Sequence, residues 1–167
     1  MARIVVFAAY GEPEVLHVVE AEDPEPSDGQ IRIRVEAAGV QPFDAAFRRG
    51  TFHRFQPARF PAQLGNEVTG IVDTIGAGAV GFGIGDEVIA FVDAIGYADT
   101  VVVDASHAAQ KTSAMSWPEA GVLSASGQTA HTVLDALGLT AGDRLLIHAA
   151  AGGHLSGLPV AHLDENR

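Results

Sequence analysis

Residues 30–38, QIRIRVEAA, alternate strictly between apolar and polar side chains. Ile31, Ile33 and Val35 fall on one face, and Arg32, Arg34 and Glu36 on the other. A period of two is the mark of a half-buried strand in an antiparallel sheet. The segments around it read the same way. Residues 3–8 (RIVVFA) are rich in β-branched side chains, Tyr10-Gly11-Glu12-Pro13 is a turn, and 15–20 (VLHVVE) can pair back on the first strand. Further strands are predicted near 67–75, 86–92 and 97–103, the first two joined by a glycine-dense stretch from Gly76 to Gly85. Up to about residue 110 the chain is a run of short strands with turn signals between them, the pattern of a barrel or sandwich.

Helical signals are few in this part. Pro42 to Arg48 fits about two turns, stopped by Gly50, and 51–64 reads as a loop broken by Pro57 and Pro61. The texture changes near residue 116. Ser116-Trp117-Pro118-Glu119 has capping-box spacing, and an Ala-rich helical segment follows to Leu137, with a possible break near Gly127. Gly138 and Gly142 end it. RLLIHA (144–149) then reads as a buried strand with His148 inside it, more a core or edge residue than a ligand, and it runs into an Ala/Gly turn at AAAGG.

Composition narrows the function. The formal net charge of −11 argues against nucleic acid and anionic membranes, which reward clustered Lys and Arg. There is no cysteine, which excludes disulfides, Cys-ligated zinc, iron–sulfur clusters and thiol nucleophiles. The apolar run at the N-terminus is too short for a signal-peptide core, and no stretch approaches a membrane span. The expectation is a cytoplasmic protein.

Several motifs occur in a telling order: Gly11-Glu12-Pro13-Glu14-Val15-Leu16, VEAAGVQPFDAAFRRG (35–50), FPAQLGNEVTGIV (60–72), VGFGIGDEVIAF (80–91), GYADTVVV (96–103) and GQTAHTVLDALGLTAGDRLLIHAAAGG (127–153). In this succession the chain resembles the medium-chain dehydrogenase/reductases, and within them the zinc-independent, zeta-crystallin-like quinone oxidoreductases. The resemblance implies a mainly β fold with a few helices, a GroES-like partly open β-barrel over residues 1–120. It implies a nucleotide-binding Rossmann domain after that, with NADPH between the two. Residues 121–153 then supply only the helix and first strand of a vestigial nucleotide-binding domain. After Gly153 there are 14 residues, and a strand–helix–strand unit needs roughly 30. Leu155 also stands where the family keeps a small residue. The segment 154–167, with its Gly-His-x-x-Gly run, resembles the family's last segment, which returns to the barrel. An unrelated tail after a truncation is the alternative reading.

The resemblance also proposes site residues. Gln41 and Asn66 occupy the positions where zinc-dependent alcohol dehydrogenases carry Cys and His, and an amide is a poor zinc ligand, so no metal site is expected. Gln41-Pro42-Phe43-Asp44 matches an Asn-Pro-x-Asp motif whose Asn borders nicotinamide and substrate. Gln41 is the same amide on a longer arm. Asp44 either caps the short helix or serves the cleft. A buried Glu67 calls for a partner such as an arginine. Thr129 matches a residue near the nicotinamide, or is an ordinary helix threonine, and Gly152 and Gly153 are the remnant of the phosphate turn. Tyr10 either orients a carbonyl or is a turn residue. No nucleophile or acid–base dyad is implied, because in such enzymes the cofactor carries the hydride. The resulting expectation is the substrate-side domain of an NADPH-dependent quinone or enone reductase, not competent alone and without tight NADPH binding. A non-redox cyclase or isomerase and a binding or scaffold module are the alternatives. Exposed apolar surface and an unpaired strand edge predict a homodimer or higher oligomer.

Overall fold

The structure is a computed structural model and describes residues 1–148. Its first unit is a hairpin. β1 (Ala2–Phe7) and β2 (Leu16–Ala21) pair antiparallel from Ala2 opposite Ala21 to Phe7 opposite Leu16. The second unit is a five-stranded antiparallel sheet. It contains β3 (Gln30–Ala38), β4 (Glu67–Ile75), β5 (Glu87–Phe91), β6 (Thr100–Asp104) and β7 (Ala108–Gln110), in the order β6-β3-β4-β5-β7. The end strands β6 and β7 do not pair with each other, so the sheet is an open, GroES-like half-barrel. The fold is mainly β, as the alternation at 30–38 and its neighbours predicts.

Residues 97–99 stitch the hairpin to the sheet. Val5 donates its N–H to the Tyr97 carbonyl at 2.9 Å, while Val35 of β3 donates to Asp99 at 2.9 Å. This double duty explains why the strand predicted from 97 begins only at Thr100. β7 is three residues long, too short to leave a periodic signal, and was not expected from the sequence.

Two apolar clusters follow. Ile31, Ile33, Val68, Val72, Val88 and Val101 fill the concave side of the sheet and are fully or nearly fully buried. The inward residues of 30–38 are thus the ones the alternation selects, with Arg34 and Glu36 in solvent. A second cluster of Phe7, Phe47 and Leu64 gathers Tyr10, Phe43, Phe52 and Tyr97 around it. Gly70 shows how closely β3 and β4 approach: a Cβ there would collide with the Arg34 backbone carbonyl.

Three α-helices complete the described residues. α1 (Pro42–Arg48) ends at Arg49, and Gly50 turns the chain at φ +80°, a conformation that suits glycine. α2 (Trp117–Ala120) carries the predicted capping box, with Glu119 accepting the Ser116 N–H at 2.8 Å. α3 (Ser126–Leu137) closes on Gly138 at φ +60°. The expected break near Gly127 falls at 121–125, just ahead of that glycine, which itself lies inside α3. Tertiary bonds pull that turn onto the sheet: Ser124 Oγ donates to the Ala90 carbonyl of β5 at 2.9 Å, and the Ala125 N–H goes to Glu67.

One expectation is overturned. Residues 144–148 form no strand, and Leu145, Leu146 and Ile147 are exposed. A buried-type strand needs neighbours on both edges, and none among the described residues pairs with it. His148 lies in an exposed turn, not inside a strand. The turn at 149–153 and the segment 154–167 lie outside the described residues.

Replacing Ile33, at 0% exposure, with alanine should lower stability by about 2–5 kcal/mol in urea unfolding. Val18→Ala on the outer face of β2, at 68% exposure, should stay within about 0.5 kcal/mol.

Candidate functional site

The predicted site residues come from three places in the chain, and the fold brings a subset of them together. Gln41 is the N-cap of α1, Glu67 opens β4, and Ser126 opens α3. The Gln41 amide donates through Nε2 to the Glu67 carboxylate and to Ser126 Oγ, the latter at 3.1 Å. Glu67 is fully buried and accepts a second bond from the Ala125 N–H at 2.9 Å.

Sequence reasoning expects an arginine against a buried Glu67. The structure places none there. The carboxylate is held by a side-chain amide, by a peptide N–H and by the positive N-terminal end of α3, which favours an anion. Arg48, itself buried, is committed elsewhere and donates to the Gly11 carbonyl. The Glu67 pocket is also closed by Gly39, where a Cβ would lie 2.6 Å from Glu67 Cγ. Glycine is needed there for close approach, not for its dihedral freedom.

Asp44 forms a second knot beside the first. It is 3% exposed and accepts three bonds: the Gln41 N–H at 2.7 Å, the Gly65 N–H at 3.1 Å and the Tyr97 hydroxyl at 3.0 Å. It therefore caps α1 and also ties it to the turn before β4 and to residue 97. Burial pushes the Tyr97 phenol well above its ordinary value, and the negative charges of Asp44 and Glu67 add to this.

The other candidates stand apart from this network. Asn66 is half-buried, and its Oδ1 accepts the Ala94 N–H at 3.1 Å, supporting a residue at φ +57°. Thr129 is exposed on α3, and its hydroxyl donates to the Ala125 carbonyl at 2.8 Å, as helix threonines commonly do. Tyr10 belongs to the aromatic cluster: its ring meets Phe60 edge-on at 5.0 Å, and its hydroxyl oxygen accepts the Ala58 N–H at 2.7 Å. Gly152 and Gly153 lie outside the described residues. A hollow of about 330 Å³ lies between the hairpin and β3, lined by residues such as Val5, Val18, Val35 and Tyr97, and none of the predicted site residues lines it.

Ser126, Tyr97, Gly39 and Gly65 take part without having been singled out in the sequence. Their signal was adjacency: Ser126 precedes Gly127-Gln128-Thr129, Gly65 precedes Asn66-Glu67, and Tyr97 follows Gly96. Chemically, the network contains no nucleophile joined to a base. Ser126 Oγ accepts from an amide, and Glu67 meets only N–H donors. Among the described residues no three His, Cys, Asp or Glu side chains converge as metal ligands. The N-terminus of α3, the one long helix described, is already neutralised by Glu67 and leaves no cradle for a pyrophosphate.

A GroES-like half-barrel with an Ala/Gly-flanked helix behind it defines a class. The chain belongs to the alcohol dehydrogenase GroES-like domain family, whose signature matches residues 27–136. The proteins it is similar to include quinone oxidoreductases and VAT-1 homolog-like proteins. Quinone oxidoreductase 1 of Escherichia coli (strain K12) is 32% identical over 155 residues, covering 92% of this chain and 46% of the relative. The synaptic vesicle membrane protein VAT-1 homolog-like of Mus musculus is 34% identical over 152 residues, covering 90% of this chain and 36% of the relative. The crystal structure of the human VAT-1 homolog-like protein superposes with a TM-score of 0.86 at 32% identity, over 94% of this chain and 51% of that one. The Escherichia coli quinone oxidoreductase complexed with NADPH gives 0.70 at 28% identity, over 80% and 40%. The chain thus spans less than half the length of these curated relatives. No helix among the described residues is long and apolar enough to cross a membrane.

Two outcomes test the site. Glu67→Gln sets an amide N–H₂ against donors and should cost about 3 kcal/mol in urea unfolding. Tyr97 holds its proton more tightly folded than unfolded. Its contribution is therefore complete below the free phenol's value, about 10, and is lost as pH rises above it. Stability should fall more steeply above pH 10 in the parent chain than in Tyr97→Phe, and the two curves should run parallel below it.

Proposed function

We propose that residues 1–120 are the substrate-side domain of an NADPH-dependent quinone or enone oxidoreductase, and that this chain by itself does not transfer hydride. Residues 121–137 would be the lead-in to the nucleotide-binding part of such an enzyme. The reading takes its support from family membership and from one observation: the bond network joining Gln41, Glu67 and Ser126. That network fixes the N-terminus of α1 against the N-terminus of α3, where the barrel meets the helix that leads away from it.

In this reading the longer amide of Gln41 has a definite use. Where the family resemblance expects Asn, the extra methylene lets the amide reach both Glu67 and Ser126. It holds the rim of the barrel while the neighbouring Val40, 76% exposed, faces outward. Binding and orientation of a carbonyl substrate are then the chain's share, and the hydride would come from a bound cofactor. The zinc-independent character belongs to the same proposal, because both metal positions carry amides, which are poor zinc ligands, and Asn66 Oδ1 already accepts the Ala94 N–H. Self-association is proposed with it: Val133 and Leu137 of α3 and Leu146 beyond it are exposed apolar side chains of the kind an interface covers.

Isothermal titration of the purified chain with NADPH tests the incompetence directly. The expected result is no saturable heat up to millimolar cofactor. Stoichiometric, tight uptake without any added subunit would show that the chain builds a dinucleotide site after all.

A further inference from the structure

Charge is unevenly spread along this chain. Residues 45–66 contain four arginines and one histidine and no aspartate or glutamate, in a protein of net charge −11. Elsewhere among the described residues the cations of the sheet and hairpin are matched, Arg3 with Asp99, Arg32 with Asp73, Arg34 with Glu36 and Lys111 with Glu87, and only Arg144 after α3 stands alone. Arg49 also finds a carboxylate, Glu12, at 3.4 Å. Arg54 and Arg59 differ. Both are exposed, and no carboxylate of the described residues lies within ion-pair distance of either. Between them stands Phe55, 91% exposed, the most exposed large apolar side chain among the described residues.

The loop that carries these three is not loosely attached. Phe52 stacks on Phe43 with ring centroids 5.4 Å apart. The Phe52 carbonyl accepts the N–H groups of Phe55 and Gln56 at 2.9 and 2.8 Å. Ala58 is held by Tyr10, and Phe60 lies edge-on against Phe7 at 5.6 Å. The inner side chains are fixed by the aromatic cluster, and Arg54, Phe55 and Arg59 are left outward. Arginine and aromatic side chains on a preorganised support are what protein interfaces use as anchors.

We propose that residues 52–60 form a docking surface for an acidic segment of a partner protein. Arg54 and Arg59 would pair with its carboxylates, and Phe55 would seat against an apolar side chain between them. Charge complementarity selects this occupant. A nucleic acid or an anionic bilayer presents an extended negative surface, which the acidic remainder of the chain, including Glu12 beside Arg49, would repel. A narrow acidic segment meets the loop alone. The inference does not depend on the oxidoreductase reading.

The test is titration of the ¹⁵N-labelled chain with a synthetic peptide of Asp and Glu around a single Leu, at low salt. Amide shifts should be confined to the loop and its aromatic support. Arg54→Ser/Arg59→Ser should weaken binding about fivefold or more while the rest of the spectrum keeps its dispersion. Phe55→Ser should also weaken binding but leave its salt dependence unchanged. Arg144→Ser, removing an exposed charge elsewhere, should leave it as it was. Absence of shifts, shifts on another surface, or equal loss in Arg144→Ser would overturn the proposal. So would sedimentation of the chain with phosphatidylserine/phosphatidylcholine vesicles that the double variant abolishes, since the loop would then read a membrane.

Discussion

A fully buried carboxylate with no cationic partner among the described residues is the constraint around which this molecule is arranged. Glu67 sits at 0% exposure, where an unpaired charge would be prohibitive. It is tolerated because three separated stretches converge on it: Gln41 from α1, the Ala125 N–H from the start of α3, and β4, which carries it. Each donor is neutral, so the desolvation of a second ion is avoided, and the end of α3 adds its partial positive charge. Nothing in this scheme tolerates bulk, which is why Gly39 faces the carboxyl.

Asp44 repeats the device one turn of helix away. Three donors from three segments meet it, and one of them, the Tyr97 phenol, is thereby kept protonated. Tyr97 also belongs to the strip at 97–99 that joins the hairpin to the sheet. The two carboxylates consequently connect every unit of the fold: hairpin, half-barrel, α1 and α3. They organise the place where the family resemblance expects chemistry without containing a reactive pair themselves.

Much of this was legible in the sequence for local reasons. The alternation of Ile31, Ile33 and Val35 predicts β3 because burial on one face of a sheet leaves a period of two. Pro42, Asp44 and Gly50 mark α1 because capping and stopping are decided within a few residues. What was not legible depended on distance. Among the described residues no arginine stands beside Glu67, and the end of a helix nearly 60 residues later does its work, as the Ala125 bond shows. The break at 121–125 is set by bonds to β4 and β5, which no helix propensity records. RLLIHA reads as a strand because its composition suits one, yet strand formation needs partners, and residues 144–148 have none among those described.

Charge shows the same separation of scales. The total of −11 describes the field far from the surface, whereas the acid-free stretch at 45–66 describes what a partner meets at contact. The keystone itself is best tested by native-state hydrogen exchange at the Ala125 amide. If Glu67 fastens α3 to the barrel, that N–H should open with the same free energy as the Val72 amide in the sheet. Exchange as fast as that of an exposed turn amide, such as Gly142, would mean that the carboxylate does not hold the helix, and the account built on it would fail.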